Sequence, residues 1–248
     1  MSACPFLNPQ PEDIGSAILA KVNAHRASMF LRKLPISDLL RMEPYLDIRT
    51  FARDEVVRSE GDVISRIVFP HNMTLAVLYT MPDGTTVESA IVGTEGYVGV
   101  ESLLGSTTAV GSVVAGCGQA STIALEQVLT LADHMPALRA AMLAYARSYL
   151  ALVFRLAACN AVHTLKQRTC RRLLLALAQT NQSSVAMTQD DLARALAVGR
   201  TSVNQVCKEL RADNLISYSR GFIKIDDVAA MTNTACDCYL YLKHALLI

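Results

Sequence analysis

The spacing of apolar residues changes period twice along the chain. Between about residues 54 and 125 they fall in short β-branched runs broken by glycine. Runs at 55–58, 66–69, 75–79, 86–92, 111–115 and 121–125 predict strands, and Met81-Pro82-Asp83-Gly84 predicts a hairpin turn between two of them. Many short strands with glycine turns predict a sandwich or barrel-like roll. Ahead of it, residues 35–46 predict a short helix.

The period then lengthens. Pro136 suits a helix first turn. After it, Leu138, Met142, Tyr145, Tyr149, Leu152, Leu156, Cys159 and His163 follow at intervals of 4, 3, 4, 3, 4, 3 and 4. Such an a/d seam predicts a parallel coiled-coil dimer. Leu143, Leu150 and Val153 make the other faces apolar too, so the helix also reads as one packed on the roll by one face and on a partner by another. Residues 160–180 predict a basic helix carrying Lys166, Arg168, Arg171 and Arg172.

Residues 187–225 hold the densest signal. Thr188 precedes an apolar-periodic run, with Asp191 three residues on, the pattern of a capping box. Leu192 and Leu196 share a face. Ala197, Val198 and Gly199 make a short turn, and Arg200 opens a second helix with Val203, Val206 and Leu210 inward. Its outward residues, Arg200, Thr201, Asn204, Gln205 and Lys208, suit base edges or phosphates. Leu215, Ile216 and Tyr218, a turn at Ser219-Arg220-Gly221, and Phe222 to Ile225 predict a β-hairpin wing. This is a helix-turn-helix with a wing, and its docking logic is entry into the DNA major groove. Asp226 and Asp227 predict the start of a last helix running to the C-terminus.

Charge supports that placement. The chain has 248 residues and a formal net charge of +1. Residues 67–138 hold no Lys or Arg but six acids: Asp83, Glu88, Glu95, Glu101, Glu126 and Asp133. Residues 139–248 hold fourteen basic and seven acidic side chains, so the positive potential lies with the helix-turn-helix. No apolar run approaches the length of a membrane span, and no export signal is visible, which predicts a cytoplasmic protein that meets no membrane. The seven cysteines are odd in number and scattered, so reduced thiols are expected. Cys4 and its neighbouring prolines predict a loose N-terminal arm.

These features together resemble the Crp–Fnr family of bacterial transcription regulators, over about residues 30–240. The segments MTQDDLARALAVGRTSV and NLISYSRGFIKI carry the resemblance most specifically. ACNAVHTLKQRTCRRLL and the terminal ACDCY resemble one branch of that family. Glu60–Asp62, Pro82–Glu88 and Gly93–Gly105 resemble its cyclic-nucleotide-binding roll. The resemblance implies an α+β chain: an N-terminal β-roll of jelly-roll-like type, a long dimerisation helix and a C-terminal winged helix-turn-helix. The expected divisions are an arm and helix at 1–28, the roll at 29–133, the dimer helix at 134–160 and the DNA-binding domain at 161–248.

Two departures from the family pattern shape the functional expectation. Members that bind cyclic AMP follow a Gly-Glu pair with Arg-Ser or Arg-Thr, the Glu meeting ribose hydroxyls and the Arg the cyclic phosphate. Here Glu101 matches the Glu, but the Arg region reads Thr107-Thr108-Ala109-Val110-Gly111-Ser112. A buried phosphate would lack its charge-assisted partner, so weak or no cyclic-nucleotide binding is expected. The family's recognition pattern R-E-T-V-x-R reads Arg200-Thr201-Ser202-Val203-Asn204-Gln205 here. Arg200 suits guanine, Thr201 a thymine methyl and Gln205 adenine, with Asn204 beside them. Thr188, Gln189, Ser202, Lys208 and Arg220 are the candidate phosphate contacts.

The expected function is a sequence-specific, dimeric regulator binding a two-fold-symmetric duplex site, with RNA polymerase left open as a further partner. The competing reading is a sensor and interaction module whose winged helix binds a protein. An enzyme is not expected, because no nucleophile–base spacing, phosphate loop or metal motif is present. No cofactor is expected. One N-terminal cysteine is too few for an iron–sulfur cluster, and His25, His71, His134, His163 and His244 are isolated. Cys236 and Cys238, read as lying on one helix, point apart and should not share a metal. Glu101, Thr108 and Cys117 are the candidate effector-pocket residues, and Cys207, inside the recognition helix, is the candidate redox residue.

Overall fold

The computed structural model describes residues 11–180, 184–219 and 221–247. The chain enters through α1 (Pro11–His25), α2 (Met29–Arg32) and α3 (Ile36–Met42). The helix predicted over 35–46 stops early, and Glu43–Tyr45 tightens into a 3₁₀ turn with Pro44 in its first turn.

Seven strands follow: β1 (Asp47–Phe51), β2 (Val56–Arg58), β3 (Arg66–Pro70), β4 (Leu75–Thr80), β5 (Thr86–Val92), β6 (Ser112–Ala115) and β7 (Gly118–Ala124). They form two antiparallel sheets, in the orders β1-β7-β3 and β2-β6-β4-β5. Phe51, Ile67, Phe69, Leu75, Tyr97 and Ile123 are buried in the core between them. The β4–β5 hairpin turns where expected. Gly84 takes φ +84°, open to glycine, and the Asp83 carboxylate accepts from the Thr85 N–H at 2.9 Å. β1 was missed because DIRTF shows no alternation; only Phe51 is buried. The run 121–125 straddles a boundary, since β7 ends at Ala124 and Leu125 opens an unpredicted helix, α4 (Leu125–His134).

The long helix α5 runs Pro136–Val162, with Pro136 at its start. Its heptad seam is largely buried within the chain itself. Leu138, Met142 and Tyr145 are buried in the core of the roll, and Leu152 and Cys159 in the core of the C-terminal half. Tyr149 is packed against both, and Leu156 is half-buried against the second. The seam is therefore the joint between the chain's own two cores. The opposite stripe, Ala140, Leu143, Arg147, Leu150, Phe154, Ala157 and Ala161, repeats at 3 and 4 and is exposed throughout, Phe154 to 71 %. Contrary to the sequence expectation, α5 is long and apolar enough by composition to cross a membrane, with mean hydropathy 1.3. Its inner face packs on protein, however, and its outer side carries Arg139, Arg147 and Arg155.

The C-terminal half holds α6 (Leu165–Thr180), β8 (Ser184–Val185), α7 (Gln189–Leu196), α8 (Arg200–Ala212), β9 (Ile216–Ser219), β10 (Phe222–Ile225), α9 (Val228–Thr234) and α10 (Cys238–Leu247). The wing is a three-stranded sheet in the order β8-β10-β9, β8 being the strand the sequence did not suggest. Asp227 caps α9 by accepting from the Ala230 N–H at 2.9 Å. The predicted last helix is broken in two: α9 ends at Thr234, and Ala235 is extended at φ −68°, ψ 161°.

Candidate nucleic-acid interface

The helix-turn-helix is built by local chemistry. The Thr188 hydroxyl accepts from the Asp191 N–H at 3.1 Å, and the Asp191 carboxylate accepts from the Thr188 N–H at 2.8 Å. This capping box satisfies donors that α7 would otherwise leave unpaired. Ala197 then turns the chain at φ 53°, ψ 48°, left-handed for a residue with a Cβ but small enough to sit there. Gly199 precedes α8 in extended conformation. Leu192, Leu196, Val203, Val206, Cys207 and Leu210 close the core beneath the two helices.

The outer face of α8 is left free by the rest of the chain. Arg200, Thr201, Ser202, Gln205 and Lys208 are exposed and Asn204 is half-exposed. Acids touch this face that the sequence reading did not place there. Asp190 lies 3.2 Å from Arg200, and Glu209 accepts from Gln205 Nε2 at 3.2 Å. Two of the four base-reading candidates, Arg200 and Gln205, are thus held by a neighbouring carboxylate. Gln189 is half-buried at the start of α7, beside Tyr218 of the wing. The Thr188 hydroxyl is committed to Asp191 at 2.8 Å. Arg220 lies outside the described residues.

Asp191 also ties this unit to the roll. Its carboxylate pairs with Arg53, from the turn after β1, and with Arg194 at 2.6 Å. Burial works to raise the Asp191 pKa, but the hydrogen bonds from Thr188 and the Arg53 charge outweigh it and lower it. Further along the junction, Gln179 of α6 donates to the buried Glu95 at 2.9 Å. Arg172 of α6 pairs with Glu88 of β5. Between these ties lies a cavity of about 400 Å³, lined among others by Arg53, Asn72, Cys117, Met187, Arg194 and Phe222.

The three effector-pocket candidates do not converge. Cys117 lines that cavity, which neither Glu101 nor Thr108 touches. Thr108 is exposed and bridges Val63. Glu101 is paired at 2.5 Å with Arg58 of β2, both side chains little exposed. The stretch 67–138 holds no cation of its own, and this one enters from a strand earlier in the chain. Arg58 Nε and Nη1 are buried without a hydrogen-bond partner among the described residues. Cys207 faces the core, not the outer face of α8, and burial raises its pKa. That is the inert kind of thiol. His71 is a structural residue: its Nε2 lies 2.6 Å from Ser121 Oγ, which is 2.7 Å from His25 Nδ1.

Comparison with known proteins agrees with this architecture. Residues 167–234 match the Crp-like helix-turn-helix domain family. No curated protein matches the chain by sequence. Among solved structures, the c-di-GMP-responsive global regulator CLP of Xanthomonas campestris is similar, with TM-score 0.63 and 17 % identity, over 78 % of this chain and 100 % of that one. A CRP-family transcriptional regulator from Thermus thermophilus aligns with TM-score 0.57 and 22 % identity, over 75 % and 96 %. FixK2 of Bradyrhizobium japonicum aligns with TM-score 0.59 and 14 % identity, over 77 % and 98 %. Residues 167–234 thus form a Crp-like helix-turn-helix domain, and the chain as a whole, a β-roll and a long helix carrying that domain, shares its fold with these structures.

Proposed function

We propose that this chain is a dimeric, sequence-specific DNA-binding regulator that works without cyclic AMP. The observation carrying the reading is the free outer face of α8, where Arg200, Thr201, Asn204 and Gln205 stand together above a closed core. Two copies would join along the exposed stripe of α5, not along its inner seam. Leu143, Leu150 and Phe154 supply the apolar contacts there. Such a dimer presents two recognition helices to half-sites about 34 Å apart, one turn of duplex. Lys208, Ser202 and Gln189 flank the reading residues and suit phosphate oxygens.

Independence from cyclic AMP rests on Glu101 and on 107–112. The carboxylate that would meet ribose hydroxyls already holds Arg58. The segment 107–112 offers a cyclic phosphate no cation. Moving Arg58 to a phosphate would leave Glu101 as an unpaired, largely buried charge, which is costly.

The test is selection of sites from randomised duplex DNA, using reduced protein without added effector. Enrichment of a palindrome with a fixed spacing is the expected result. Asymmetric enrichment would refute the dimeric reading, and enrichment that requires cyclic AMP would refute the effector reading.

A further inference from the structure

Four ligand groups meet where α5 ends. Cys159 and His163 lie four residues apart at the end of α5, so they share one face. Cys236 and Cys238 come from the break between α9 and α10. The sequence reading held these two apart on the premise of one continuous helix. Because the chain is extended at Ala235, the premise fails and both sulfurs turn to the same place. Cys159 Sγ lies 3.5 Å from Cys236 Sγ, and Cys238 Sγ lies 3.9 Å from His163 Nδ1. All four ligand atoms lie within 4.8 Å of one another.

We propose that Cys159, His163, Cys236 and Cys238 bind one zinc ion, which clamps α10 to the end of α5. Zinc bonds of about 2.3 Å to sulfur and about 2.0 Å to nitrogen place tetrahedral ligands about 3.6–3.8 Å apart. The two measured separations straddle that range, and the longest needs to close by about 1 Å. Three sulfurs and an imidazole are the donor set of structural zinc, and too soft for magnesium or calcium. The three cysteines are buried and His163 is half-buried, so a bound ion would be shielded from water.

Arg171 gives a second, independent indication. Its side chain is buried, its residue 3 % exposed, and its Nε has no hydrogen-bond partner among the described residues. It lies within electrostatic reach of Cys159, Cys236 and Cys238. Beside three neutral thiols, that guanidinium is a buried charge with no counter-charge among the described residues. Zinc binding displaces the three thiol protons. A zinc ion with three thiolates and one neutral imidazole carries a net charge of −1, which Arg171 balances.

The position suggests what the ion does. His163 is the residue at which α5 ends and the chain turns into α6, and α10 is the last element of the C-terminal half. Zinc here fixes the angle between the long helix and the helix-turn-helix. The site stands whatever that helix-turn-helix binds.

The test uses the full chain, purified reduced and without a metal-binding tag. Metal analysis after dialysis should find one zinc per chain. Cys238→Ser and His163→Ala should lose it, while Cys117→Ser and Cys207→Ser keep it. Stripping the metal should lower Tm, and added zinc should restore it. Cobalt in the wild-type site should show the sulfur-to-metal charge-transfer bands and intense visible bands of a tetrahedral thiolate centre, a readout that does not depend on whether any variant folds. Wild-type protein that is folded and reduced yet takes up neither zinc nor cobalt would overturn the proposal. So would a Cys159–Cys236 disulfide that persists in the protein as isolated from a reducing lysate, or zinc retained equally by the Cys238→Ser and Cys207→Ser proteins.

Discussion

Arg172 holds Glu88 through two parallel hydrogen bonds, Nε to Oε1 at 2.8 Å and Nη2 to Oε2 at 3.0 Å. The pair joins α6 of the C-terminal half to β5 of the roll, with side chains only 10 % and 11 % exposed. A fork of this kind is directional and strong, but its removal by halves is costly, since it strands a buried charge. Glu88→Ala or Arg172→Ala should each destabilise the protein by about 3 kcal/mol in chemical denaturation. Amide exchange should rise along β5 and α6. The double variant Glu88→Leu/Arg172→Met should recover most of that loss. Equal destabilisation by the double and single variants would show that the ion pair is not what matters at this junction.

In the recognition helix, base readers and phosphate binders should separate experimentally. Arg200→Ala and Gln205→Ala should each cost about 1–3 kcal/mol on the selected site and relax preference at one base pair. Lys208→Ala should weaken all duplexes alike and reduce the salt slope by about 1. Filter binding or fluorescence anisotropy over a salt series distinguishes them.

The two faces of α5 should respond differently to substitution. Phe154→Glu and Leu150→Glu change exposed positions. They should leave folding intact, give monomers in sedimentation velocity, and weaken binding to a symmetric site on the order of a hundredfold through lost avidity. Leu152→Ala removes a side chain that is 1 % exposed and should cost about 2–5 kcal/mol of stability without altering association. Dissociation by Leu152→Ala alone would return the dimer seam to the inner face.

Acid should destabilise the roll through its histidines. Burial lowers the His71 pKa from 6.5 to about 4, and the neighbouring His25 adds to this. Below pH 6.5 the unfolded chain takes up this proton while the folded chain does not. Stability therefore falls as pH drops from 6.5 towards 4 and is retained above 6.5. At about 1.4 kcal/mol per pH unit, His71 accounts for about 3 kcal/mol of that fall. His71→Gln should flatten the Tm–pH curve across this window. An unchanged slope would place the acid sensitivity elsewhere.

Thiol chemistry should spare the recognition helix. Cys207 is buried with its pKa raised, whereas Cys117 is exposed in the cavity between roll and helix-turn-helix. Brief alkylation of native protein, read by peptide mass spectrometry, should label Cys117 ahead of Cys207. Cys207→Ser should bind DNA like wild type, before and after mild peroxide. Protection from peroxide by Cys207→Ser would make that thiol a sensor after all.

Much of this protein is determined locally, and that part was legible. Thr188 and Asp191 are three residues apart, so their capping box follows from neighbouring residues alone. Gly84 turns its hairpin and Val203, Val206 and Leu210 face inward for equally short-range reasons. The helix-turn-helix, the wing hairpin and the long helix could therefore be placed from periodicity. Tertiary structure decided which apolar face of α5 turns inward, because a 3.5-residue period is satisfied equally by Leu152 and by Phe154. It decided that Arg58 reaches Glu101 across 43 positions and that Arg53 reaches Asp191 across 138, pairings no window of sequence contains. It also broke the last helix at Ala235, which sets Cys236 and Cys238 facing Cys159 and His163. Local propensity fixes elements, but the meeting of distant side chains depends on how the two cores pack against one helix.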